Sequence, residues 1–367
     1  MKEIKYIIIS MLFLFIAKIN NAQNNSNTIK ELRFIGEQII PAHTEFKNTK
    51  VGGLSSIDYA NGKFYLISDD KGKPVRFYKM QLNYNKDSFS EIKINKVINI
   101  ETDEEFIDSE SLRFDKFNNS FFWTSEGNYK KGVSPKIFEI NAEGKEIKTH
   151  KTPNIFQAKN NTKTIGTRRN GTFEALSMSI NPYVYWVGME LPLKQDGEEP
   201  KIEKGNYPIR ISKIDKKTDE LKYQFVYNLD EIPKNSIPKN KFIVNGCPEI
   251  LELDSTNFLV LERAYASGHK DGGNTVKIYI TDFSKATDVR NIQSLKNHKY
   301  TSAKKTLLFN FETIRNKLTN GIVDNVEGIT FGKVLENGNQ TIVVVSDNNF
   351  NKFNPQLNQF IVFEIIK

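Results

Sequence analysis

The chain has 367 residues, 38% hydrophobic and 26% charged, enough apolar material for one or two packed domains. Its 52 Lys and Arg against 44 Asp and Glu give a formal net charge of +8. The basic residues are scattered through Lys-Asn-rich turns rather than gathered on one face, which argues against a nucleic-acid partner, and a single cysteine, Cys247, excludes an internal disulfide scaffold.

Residues 1–22 read as a secretory leader: Lys2 and Lys5 precede an apolar stretch at 7–17, and Ala22 offers a small residue for cleavage. Spanning a bilayer takes about 20 apolar residues. This run is shorter and is closed by Lys18, so a membrane anchor is the weaker alternative, and no Cys follows it for lipid attachment. The expected product is a secreted or periplasmic monomer with no stable membrane anchor. Residues 23–47 form an N-terminal segment, in which 32–40 has the pattern of a strand. Residues 48–367 carry no Pro/Gly/Ser-rich linker and read as one domain.

That domain is repetitive. A carboxylate is followed two residues later by Leu or Ile, and a second carboxylate ends the next apolar run: Glu110-Ser-Leu112 with Glu126, Glu174-Ala-Leu176 with Glu190, Glu249-Ile-Leu251 with Glu262, and Glu327-Gly-Ile329 with Asp347. A fifth copy, Gly52-Gly-Leu54 with Asp69 and Asp70, lacks the first acid. Residues 111–114 and 120–124 predict two strands around a polar turn, 136–140 a third, and 146–151 a polar fourth. Four antiparallel strands of increasing polarity make one propeller blade, so the fold class is an all-β, single β-propeller. Five blades are visible. The repeats lengthen along the chain, which leaves room for a sixth, degenerate blade or for insertions at 192–207 and 264–275. The strand at 32–40 is expected to join the last blade and close the ring. Helix is scarce, and 310–318 is the best short candidate.

Each repeat begins and ends at the same edge of a hairpin, so a radial array brings its acids together. Like charges held close repel unless a cation, a proton or an arginine intervenes. Calcium suits such a set, because it takes six to eight oxygen ligands in irregular geometry. The alternative is that individual acids bind backbone N–H groups or arginines and only lock blades together. No Walker loop, Gly-x-Ser-x-Gly elbow or His-Glu-x-x-His occurs, and the four histidines are dispersed, with His269 in a loop. The expected metal ligands are Asp69, Glu110, Glu126, Glu174, Glu190, Glu262, Glu327 and Asp347, with Glu110, Glu174 and Glu327 also expected to act in catalysis by activating water. Arg168, Arg210 and Arg263 are the expected clamps for an anionic substrate, since guanidinium grips phosphate or carboxylate by paired hydrogen bonds.

The motifs Val51-Gly-Gly-Leu-Ser-Ser-Ile-Asp58, Ser68-Asp-Asp70, Asp108-Ser-Glu-Ser-Leu112, Ser125-Glu-Gly127, Asn170-Gly-Thr-Phe-Glu-Ala-Leu176, Leu261-Glu-Arg263, Asp324-Asn-Val-Glu-Gly-Ile329 and Ser346-Asp-Asn-Asn-Phe350 occur in that order. Together they resemble the phytase-like domain family, also called the esterase-like activity of phytase family, over residues 48 to 365. The second motif departs from its common Asp-Pro-Glu-Gly-Leu form at Ser109 and Ser111, and Asn245-Gly-Cys-Pro-Glu249 is also unusual. The resemblance implies a distant likeness to calcium-dependent propeller phytases, and so an exported, calcium-dependent phosphoester hydrolase acting on a small anionic substrate. Two alternatives stay open at this stage: a calcium-dependent lactonase or carboxylesterase, and a non-catalytic binding or scaffold propeller.

Overall fold

The computed structural model describes residues 29–71, 74–351 and 356–367, so the expected leader lies outside the described residues. The described chain opens with β1 (Glu31–Ile40) and a short hairpin of β2 (Glu45–Phe46) and β3 (Thr49–Lys50). Five four-stranded antiparallel sheets then follow one another. Blade 1 holds β4 (Asp58–Ala60), β5 (Lys63–Ser68), β6 (Arg76–Tyr84) and β7 (Phe89–Asn99). Blade 2 holds β8 (Ser109–Asp115), β9 (Ser120–Ser125), β10 (Lys136–Ile140) and β11 (Glu146–His150). Blade 3 holds β12 (Phe173–Met178), β13 (Val184–Met189), β14 (Tyr207–Asp215) and β15 (Leu221–Leu229). Blade 4 holds β16 (Ile243–Glu252), β17 (Asn257–Ala266), β18 (Asn274–Asp282) and β19 (Lys304–Asn310), and blade 5 holds β20 (Val326–Val334), β21 (Gln340–Ser346) and β22 (Asn358–Ile366).

Blade 5 takes its fourth strand from the N-terminus. β1 pairs antiparallel with β22, setting Leu32 opposite Ile365 and Ile39 opposite Gln359, and this closes the ring as the sequence predicts. The propeller therefore has five blades. The extra length that left room for a sixth sits in the 190–206 connection of blade 3 and the 283–303 connection of blade 4. The stretch 264–275 is no insertion: β17 and β18 continue through it, with Tyr265 opposite Asn274, and only a tight loop remains. The helical expectation at 310–318 appears as a 3-10 segment, Phe311–Lys317, capped by the Asn310 side chain on the Glu312 N–H.

Burial falls from the centre of each blade outward. In blade 2 the strand β9 is buried throughout, whereas β11 is exposed except near His150. Apolar side chains on both faces of the inner strands fill the gaps between neighbouring blades, so the core is a set of interblade layers rather than one central mass. Trp123 stacks on Phe138 with ring centroids 4.3 Å apart, and Tyr65 and Phe77 of blade 1 pack on Phe121 of blade 2. Burial of this kind contributes about 25 cal/mol per Å² of apolar surface, which is what holds blades together without disulfides.

Candidate functional site

The innermost strands β8, β12, β16 and β20, together with the segment leading into β4, start at the same end of the ring. A recurring hydrogen bond shows how four of the five blades align their acids. The N–H of Glu126 donates to Asp108 O at 2.9 Å, that of Glu190 to Thr172 O at 2.9 Å, that of Asp347 to Asn325 O at 2.9 Å, and that of Asp69 to Gly53 O at 2.6 Å. In blades 2, 3 and 5 the accepting residue lies two positions before Glu110, Glu174 and Glu327. The acid that ends the second strand is thereby locked beside the acid that begins the first.

These residues line a cavity of about 890 Å³ at the mouth of the ring: Asp69, Glu110, Glu126, Glu174, Glu190, Glu327 and Asp347, together with Arg263. Carboxylate oxygens of Asp69, Asp108 and Glu110 lie within 4.8 Å of one another, and so do those of Glu110, Glu126 and Glu174. Glu110 belongs to both triads. Asp108 is absent from the set the sequence predicts, although its place two residues before Glu110 is the signal that could have found it.

Burial is the main reason the acids are hard to ionise. It pushes Glu110 well above the ordinary carboxylate range, reinforced by the charges of Glu174, Asp69, Glu126 and Asp108. Glu174 is raised in the same way, first by burial and then by Glu190, Glu126 and Glu327, with Arg263 opposing. Asp69 and Asp347 are also held well above the range, by burial and then by Asp108 and Glu327 respectively. Burial carries Glu190 up to about 8 despite Arg263. Glu126 rises less, because the N–H groups of Gly171 and Thr172 each donate to its Oε1 at 2.6 Å.

Such a basin must take up protons or cations. Its donors are carboxylate and amide oxygens, which suit a hard divalent cation and not a soft one. Asp69 Oδ1 and Asp108 Oδ1 are buried with no hydrogen-bond partner, the condition in which a carboxylate oxygen is available to a metal. Within the protein, Arg263 Nη2 donates to Glu327 Oε1 at 3.0 Å and lies 3.5 Å from Glu190 Oε1, while Lys71 Nζ reaches Asp108 Oδ2 at 3.1 Å. His269 also lines the cavity, its Nε2 held 2.7 Å from Asn235 O.

The family model described as "Phytase-like: Esterase-like activity of phytase" matches residues 49–350. The chain belongs to this family. No curated protein matches this phytase-like propeller. Solved structures similar to it include a thermostable family-43 glycoside hydrolase, at 9% identity and a TM-score of 0.47, covering 86% of this chain and 90% of that one. The catalytic domain of a Coprinopsis cinerea GH62 α-L-arabinofuranosidase shares 10% identity with a TM-score of 0.44, covering 92% of this chain and 97% of that one.

Three residues expected in the site of this phytase-like propeller are used elsewhere. Strand alternation sends Glu262 and Arg263 to opposite faces, so only one of them can enter the cavity, and it is Arg263. Arg263 is the register partner of Gly246 and holds the place that Glu126, Glu190 and Asp347 fill in their blades. Glu262 instead accepts from Tyr227 at 2.5 Å, Lys305 at 2.6 Å and Asn245 at 3.0 Å. Arg210 is buried away from the cavity, where its Nε and Nη2 grip Asp196 at 2.6 and 2.8 Å and tie the 190–206 connection to β14. Arg168 lines a neighbouring cleft and bonds Pro192 O, Gly197 O and Glu199.

Proposed function

We propose that this phytase-like propeller is an exported, calcium-dependent hydrolase of phosphoesters, acting as a monomer on a small anionic substrate. The observation that carries the reading is the pair of carboxylate triads sharing Glu110, because two adjoining oxygen cages with a common ligand suit a pair of divalent cations. Calcium bound there would neutralise the charge of a phosphoryl group and make water a better nucleophile at neutral pH. Asp69, Asp108, Glu110, Glu126 and Glu174 are the residues we assign to holding it. Glu174 and Glu327, both raised by burial, are the residues we assign to taking a proton from water. Arg263 is the guanidinium that faces the cavity, and its Nε is buried without a partner, so it has a donor to offer an anionic oxygen. Export rests on the leader-like residues 1–22.

The test is phosphate release from simple phosphomonoesters by the mature protein with calcium and with chelator. The expected result is turnover that needs calcium and is lost in Glu110→Gln. Calcium-dependent cleavage of lactones or carboxylic esters alone would transfer the site to that chemistry. No cleavage of either ester type, with identical melting in calcium and chelator, would leave a scaffold.

A further inference from the structure

The cavity is acidic at its base but is not polar all round. One wall, built by β16 and β17, carries apolar side chains between Arg263 and the rim, where His269 and Lys270 also line the cavity. Arg263 and Tyr265 are two residues apart on β17 and share its cavity face. Val244 is the register partner of Tyr265, and Phe242 lies two residues before it, so the same face continues to the rim. Phe242, Val244, Tyr265 and Ile322 all line the cavity, and Phe242 packs its ring against Tyr265 with centroids 6.0 Å apart. Phe242 is nonetheless 65% exposed. Elsewhere the lining, with Lys71, Asn170, Asn349 and Gln356, is polar.

An aromatic pair left open to water beside a charged site is a ready surface for a ring. The spacing is also informative. Arg263 and Tyr265 stand two positions apart on one strand face, roughly 7 Å, so the guanidinium and the aromatic ring follow one another along a single wall. A substrate carrying phosphate on every side would instead press charge against Phe242, which is unfavourable.

We propose that the substrate is a phosphomonoester of an apolar, ring-bearing alcohol, with its ring on Phe242 and Tyr265 and its phosphoryl group toward Arg263 and the acids. This rests on the reading of the basin as a cation-assisted phosphoester site. In the reaction the water oxygen bonds to phosphorus and the bond from phosphorus to the alcohol oxygen breaks with its electron pair. One water proton stays on the new phosphate and the other ends on the alcohol.

Binding tests the wall separately from catalysis. Calorimetry with the calcium-loaded mature protein should find benzylphosphonate, which cannot be hydrolysed, bound about tenfold more tightly than ethylphosphonate, the difference expected from covering one ring face. Phe242→Ala and Tyr265→Ala should each erase most of that preference while the melting temperature confirms folding. Equal affinities in the wild type, a preference that survives both substitutions, or no binding of either phosphonate would overturn the proposal. Turnover of benzyl phosphate then reports on the hydrolase reading by itself: preference without turnover removes the reaction and keeps the wall, and turnover without preference does the reverse.

Discussion

Arg113 Nη2 lies 2.8 Å from Glu249 Oε2 on the propeller axis, and the same guanidinium donates to one carbonyl from the innermost segment of each of the other four blades. These are Ile57 O at 2.9 Å, Leu176 O at 2.7 Å, Ile250 O at 3.4 Å and Ile329 O at 3.0 Å. Those four carbonyls, with that of Leu112 in blade 2, mark equivalent positions in the five blades. Just before them stand Ser56, Ser111, Ala175, Glu249 and Gly328. Four are small, which leaves room for the single large carboxylate, and both Ser111 at 2.7 Å and the Leu176 N–H at 2.7 Å donate to it.

Removing one partner of a buried pair strands the other charge, at a cost of about 3 to 5 kcal/mol. Glu249→Gln should therefore lower the urea midpoint by that equivalent. A joint replacement of Arg113 and Glu249 by Met should be much milder. A loss under about 1 kcal/mol in the single variant would show that the axis does not depend on this pair.

The acids of the basin set the pH dependence of the cation-free protein. A carboxyl raised by folding holds its proton more tightly in the folded state than in the unfolded chain. It therefore favours folding below its ordinary value, and that contribution is lost as pH rises through the folded value. Asp69, Glu110, Glu174 and Asp347 are all raised, and Glu190 moves from 4.5 to about 8. With chelator present, the melting temperature should fall steadily between about pH 5 and pH 8. Calcium should flatten this slope, adding about 2.7 kcal/mol at a hundredfold excess over its Kd. A melting temperature that rises with pH under chelator would contradict the assignment.

Glu110 and Glu262 should respond oppositely to the same change. Glu110→Gln removes the carboxylate common to both triads and should weaken calcium binding at least about tenfold, while easing repulsion in the cation-free protein. Glu262→Gln should leave calcium affinity unchanged in titration calorimetry and cost about 1 to 3 kcal/mol of stability, because an amide cannot satisfy all the donors around that side chain. Equal loss of calcium affinity in both would return Glu262 to the metal site.

Gly53 should be sensitive to a single methyl. Its φ is +58°, and a Cβ there would meet Phe350 Cε2 at 2.5 Å and Asp69 O at 2.7 Å. Gly53→Ala should destabilise by about 1 to 3 kcal/mol, and because it pushes on Asp69 it should weaken calcium binding as well. Unchanged thermal melts and calcium titrations would show that this loop yields freely.

The sequence by itself determined the blade pattern, the closing strand and the convergence of Asp69, Glu110, Glu126, Glu174, Glu190, Glu327 and Asp347 on one cavity. All of these follow from local alternation and from the fixed geometry of a hairpin. It placed blade 4 one residue out of step. There the position equivalent to Glu110 is Pro248, Glu249 turns to the axis, and Arg263 rather than Glu262 enters the cavity. Only the tertiary structure decided this, because strand side chains alternate with a period of two, so a slip of one residue exchanges the faces. Arg210 was beyond local reading for a different reason: its partner Asp196 belongs to a connection with no repeat to align it. The pairing of such charges is set by where the chain returns in space, which spacing along a sequence does not encode.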